Sequence, residues 1–114
     1  MFTLLTLEMA IHAFDSRDYK NAAERFEKVL EADPTNRNAR EYLARSYYHR
    51  ASLPKAEAVL RQIMDEDPTN DYALLLMART LERQSRHDEA AAIRRRLAAL
   101  TGDESHLAGY RSFS

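Results

Sequence analysis

A chain of 114 residues is long enough for one domain with a core and short for two. With 45% apolar and 31% charged residues it is globular, and a net charge of −1 gives no general pull toward nucleic acid or a membrane surface. The absence of cysteine excludes disulfides, thiolate catalysis and cysteine-based zinc sites, and fits a reducing compartment such as the cytoplasm.

Only two Gly and three Pro punctuate the chain, which argues for helices over many short strands. Met1 to Phe14 is apolar-rich, yet it carries Glu8, lacks a basic leading stretch and is followed by no small-residue cleavage site. It reads as a helix and not as a secretion signal. Phe2, Leu4, Leu5, Leu7, Met9, Ile11 and Phe14 spread apolar side chains around most of that helix, where a terminal helix should show water a polar face. Phe2, Leu4, Leu5 and Leu7 are therefore expected to be covered by a second copy, giving a homodimer, or by another partner.

Asp18 is placed to cap a second helix with Ala22, Phe26 and Val29 inward. A third helix, from Arg37 to about Arg50, gathers Leu43, Ala44 and Tyr47 on one face. Ser52 can cap the fourth, with Pro54 in its first turn and Ala56, Leu60 and Ile63 inward, running to about Glu66. Pro34 and Pro68 stop the second and fourth helices, because the residue before a proline avoids the α region. Asn36 and Asn70 are placed to cap the third and fifth. Beyond a third pair, Leu107, Tyr110 and Phe113 predict a short closing helix over 105–114.

These elements repeat. Asp33-Pro34-Thr35-Asn36 returns 34 residues later as Asp67-Pro68-Thr69-Asn70. At the same step run Ala10/Ala44/Ala78, Ala22/Ala56/Ala90, Met9/Leu43/Met77 and Val29/Ile63/Leu97. Small residues let paired helices approach closely, and bulky ones beside them bridge to the next pair. One pair cannot bury its apolar face alone, so the pairs must stack.

This pattern resembles the tetratricopeptide repeat (TPR) family, over about residues 3–104. The resemblance implies an all-α, right-handed α-solenoid of three stacked helix-turn-helix hairpins with a short C-terminal capping helix. It implies one domain, 1–114, with repeats at 3–36, 37–70 and 71–104 and the solvating helix at 105–114. The arginine-over-lysine bias points to a small bacterial member. Departures are Thr6 and Arg40 where a large residue is usual, Gly102 in place of proline, and Arg94 where Phe26 and Leu60 stand in the earlier repeats. An arginine there suits a face on which no further repeat stacks.

The resemblance further implies a non-enzymatic protein- or peptide-binding adaptor or scaffold, with no cofactor. The first helix of each pair, the A helix, would line a concave groove. By position the groove would present Ile11 and Phe14, then Glu41, Arg45 and Tyr48, then Tyr72, Leu75, Arg79 and Arg83, with Glu82 beside them. Arg45 and Arg79 hold equivalent places, so two guanidinium forks beside Tyr48 and Tyr72 suit a carboxylate-bearing, partly apolar peptide. Arg45 also follows Glu41 by four residues, the favourable order for an ion pair. Chaperone-binding members clamp a C-terminal carboxylate with Lys, Asn and Arg; the matching positions here are Leu7, Ile11, Tyr42, Tyr72 and Leu76, so that clamp is missing. The alternative is a homo-oligomeric assembly subunit that uses the apolar first helix.

Other chemistry finds no support in the residues. The four histidines are scattered over different repeats with no metal-ligand spacing. Asp65-Glu66-Asp67 superficially suggests a calcium loop, but Asn70 stands where glycine is needed and Leu76 where glutamate is. Arg94-Arg95-Arg96 does not form one flat patch on a helix, and acids balance it, so no nucleic-acid partner is expected. No stretch approaches the ~20 apolar residues of a membrane span.

Overall fold

A computed structural model describes residues 2–107 of the chain, with side chains from Leu4 onward. It is an all-α helical repeat fold, and no strand occurs among the described residues. The helices are α1 (Phe2–Asp15), α2 (Tyr19–Ala32), α3 (Arg37–His49), α4 (Leu53–Glu66), α5 (Asp71–Arg83) and α6 (His87–Thr101), followed by a 3-10 turn at Glu104–Leu107.

The boundaries have local causes. Asn36 and Asn70 cap α3 and α5, each side-chain oxygen accepting from the N–H three residues on, Ala39 and Ala73, at 3.0 Å. Asp18 caps α2 by accepting from the Asn21 N–H at 3.4 Å and the Asn21 side-chain amide at 2.7 Å. The Ser52 carbonyl takes the first bond of α4, from the Ala56 N–H at 3.0 Å. α2 and α4 end just before Asp33-Pro34 and Asp67-Pro68. α6 ends instead at Gly102, left-handed with φ 74°.

The turn inside each pair follows a rule that the residue types hide. Arg17, Ala51 and Ser85 all adopt positive φ, at 63°, 61° and 60°, and they stand at the 34-residue step. Each lets the next N–H reach back to the preceding helix: Asp18 to the Ala13 carbonyl, Ser52 to Tyr47 and Arg86 to Leu81, at 2.8–2.9 Å. These bonds satisfy carbonyls that a helix end leaves open. None of the three is glycine, so each carries a left-handed strain of about 1 kcal/mol.

The chain forms two compact units, Met1–Val59 and Leu60–Ser114. In the first, α2 packs against both α1 and α3. Its core joins Ala10, Phe14, Ala22, Ala23, Phe26, Val29, Ala39, Leu43, Tyr47 and Ala56. Phe26 is wholly buried and stacks on Tyr42 at 5.1 Å between ring centroids. The alanine columns are buried throughout, Ala10, Ala44 and Ala78 at 0% exposure. The Met9/Leu43/Met77 column breaks: Leu43 and Met77 are buried and Met9 is 42% exposed. The reason is that α2 covers that face of α3, while the same face of α1 is uncovered among the described residues.

In the second unit α6 packs on α5 and the 3-10 turn packs on α6. Arg94 is buried on α6. Its Nε and Nη2 donate to the two Glu82 carboxylate oxygens at 2.6 and 2.9 Å, and its Nη1 donates to the His106 carbonyl at 2.8 Å. The two-pronged ion pair holds the guanidinium firmly charged. It also fastens the closing turn to the α5–α6 pair. Of the closing helix expected over 105–114, the part in view is this single turn; Tyr110 and Phe113 lie outside the described residues.

Candidate polypeptide-binding faces

In the first unit, α1 contributes Ile11 and Phe14, and α3 contributes Glu41, Arg45 and Tyr48. Phe14 is buried, and its ring meets Tyr19, Tyr42 and His49 edge-on at 5.4, 5.2 and 6.0 Å. Tyr19 and His49 stack at 4.7 Å. The Arg45 guanidinium lies over Phe14 at 4.6 Å and over Tyr42 at 5.2 Å. A cation on aromatic faces is attracted by the ring quadrupoles and held in place by them. Ile11 and Tyr48 are half-buried and pack against the core of this unit.

In the second unit, Tyr72, Leu75, Arg79 and Arg83 follow one another at three and four residues along α5, forming one stripe about 16 Å long at a helix rise of 1.5 Å per residue. Tyr72, Arg79 and Arg83 are exposed and Leu75 is half-buried. Glu82, expected beside them, is committed to Arg94, and its side chain is only 12% exposed.

Of the residues expected to meet a second copy or a partner, Leu4 and Leu5 are the most exposed large apolar side chains described, at 62% and 57%. Leu7 does not share that surface: it is half-buried against the core of the first unit, one face round the helix from Leu5. The Phe2 side chain lies outside the described residues.

Three features escape sequence reading. Ser46 and Thr80, again 34 residues apart, are wholly buried, and each hydroxyl donates to the carbonyl four residues back, at 2.8 and 2.7 Å. Listing columns of polar residues as well as apolar ones would have found them. The buried Tyr47 hydroxyl donates to the Glu27 carboxylate. Burial first, and then this acceptor, raise its pKa well above the ordinary phenol range. Its partner comes from α2, which no local pattern shows. The Arg94–Glu82 pair is the third.

Among the described residues no group of three His, Asp or Glu is placed to hold a metal ion, and no helix is long and apolar enough to cross a membrane. Residues 15–96, more than half of the chain, match the family model of the anaphase-promoting complex, cyclosome, subunit 3, which is of tetratricopeptide type. No curated protein matches the chain. Several solved structures do. The TPR domain of Arabidopsis OM64 aligns with TM-score 0.82 at 18% identity, over 96% of this chain and 91% of that one. The first TPR domain of Spaghetti (RPAP3), solved with the HSP90 peptide SRMEEVD, aligns with TM-score 0.83 at 18% identity, over 96% and 90%. The TPR2B domain of yeast Sti1, in complex with pHsp70, aligns with TM-score 0.81 at 14% identity, over 96% and 99%. At such identities the likeness speaks for the fold.

Proposed function

We propose, from the premise that this chain belongs to the tetratricopeptide-type family whose model it matches over residues 15–96, that it is a non-enzymatic adaptor holding an extended polypeptide on its A-helix faces. The observation that carries this is the stripe Tyr72, Leu75, Arg79 and Arg83 on α5. It combines an amphipathic ring, an aliphatic contact and two cations in register along one exposed face. Such a stripe suits a chain that brings carboxylates and apolar side chains alternately. Arg45, fixed over Phe14 and Tyr42, provides a like cation on α3. We place the adaptor in the cytoplasm, a reading supported by the lack of cysteine.

The Spaghetti (RPAP3) and Sti1 domains were solved with chaperone-derived partners, which supports a polypeptide ligand. A chaperone tail is not the ligand proposed. Leu7, Ile11, Tyr42, Tyr72 and Leu76 stand where Lys, Asn and Arg clamp such tails in family members that bind them. Moreover, Tyr42 is half-buried with its ring stacked on Phe26, and Leu76 is buried.

The test is capture of partners from the native host with wild-type, Tyr72→Ala and Arg79→Ala proteins. The expected result is one or more partners retained by wild-type and lost from both variants, with the size of the bait unchanged. Capture that is indifferent to both substitutions contradicts the reading.

A further inference from the structure

A cleft of about 450 Å³ lies between α1 and α2, lined by Leu5, Glu8, Met9, His12, Ala13 and Arg25 among others. Its periodic counterpart is already in use. Thirty-four residues on, Leu5, Met9 and Ala13 become Ala39, Leu43 and Tyr47, all buried in the core where α2 packs on α3. The face of α1 is thus the continuation of an interface that α3 closes with a helix. Two differences define what would fit on α1. Ala13 in place of Tyr47 leaves room for apolar bulk. Arg25 in place of Val59 puts a cation on the rim, where its contact is the Met9 sulfur at 3.9 Å.

We propose that the occupant is α1 of a second copy, so that two copies pair across a two-fold axis with Leu5 and Met9 of each in the cleft of the other. This helix brings what the cleft asks for. Leu5 and Met9 are 57% and 42% exposed, and Glu8 stands beside Met9 and one turn from Leu5, placing a carboxylate to meet the partner copy's Arg25. A two-fold contact must be self-complementary, and this patch carries both its acid and its base. On α6 the position of Phe26 is not apolar: Arg94 stands there and is bonded to Glu82 and to the His106 carbonyl. Pairing through α1 is independent of polypeptide capture on the A-helix faces.

The test is sedimentation of the full chain from about 10 to about 500 µM, since mass action drives any dimer at the upper end. Wild-type is expected to dimerise. Leu5→Glu and Met9→Glu are each expected to weaken the dimer at least about tenfold. Both sites are exposed, so folding is retained, and helical content by circular dichroism confirms it. Glu8→Arg and Arg25→Glu are each expected to weaken the dimer, and combining them to restore it. A chain that stays monomeric throughout overturns the proposal. So does a dimer unchanged by Leu5→Glu and Met9→Glu, or a charge-reversal pair that fails to recover.

Discussion

Phe26 and Arg94 occupy the same place in the repeat, 68 residues apart, and do opposite things with it. Phe26 is wholly buried, stacked on Tyr42 where α3 packs on α2. Arg94 is nearly as buried, at 8% exposure, but satisfies its charge with Glu82 from α5 and the His106 carbonyl of the closing turn. An apolar residue at this position welcomes another helix. A guanidinium there can be buried only together with its acid, and the closing turn packs over the pair without separating them.

Phe26→Ala should cost about 3–5 kcal/mol, seen as a lower urea midpoint, because a large ring leaves a cavity at the centre of the first unit. Arg94→Ala should cost about 3 kcal/mol by stranding the Glu82 carboxylate, with faster hydrogen exchange at Glu104–Leu107. The double change Arg94→Leu/Glu82→Leu sharpens this. It should recover much of the loss in stability, since replacing both charges removes the stranded one, while the closing turn stays loose. Ala56→Leu, at a wholly buried position in an alanine column, should cost about 1–3 kcal/mol by overpacking. A urea midpoint that barely moves would mean the small-residue columns are not close contacts.

Smaller effects test the bonds that the period conceals. Tyr47 keeps its proton in the folded state where the unfolded chain loses it, so its contribution is present below the unfolded phenol value near pH 10 and is lost as pH rises above it. Tyr47→Phe should cost about 1 kcal/mol at neutral pH and flatten the alkaline fall in thermal stability. Ala51→Gly should change stability least and in the other direction, gaining at most about 1 kcal/mol by relieving a left-handed residue, with the greater freedom of glycine in the unfolded chain offsetting part of the gain.

Much of the fold was legible because its causes are local or periodic. Asn36 and Asn70 announce caps, Pro34 and Pro68 announce stops, and the alanine columns announce close helix contacts. Arg17, Ala51 and Ser85 did not announce their left-handed turns, since their residue types share nothing; only the 34-residue step relates them. The candidate site was legible less fully. The α5 stripe could be read from spacing, whereas the seat of Arg45 on Phe14 depends on α1 packing beside α3. The diversion of Glu82 to Arg94 depends on a partner twelve residues away on another helix. Leu7 and Leu5 look alike in sequence, and only packing turns one inward and leaves the other exposed.

Panning a random peptide library on the wild-type chain and on a Tyr72→Ala/Arg79→Ala variant tests polypeptide capture most directly. Peptides rich in carboxylates and apolar residues should be enriched on wild-type and lost from the variant. Equal enrichment on both would contradict binding at the α5 stripe.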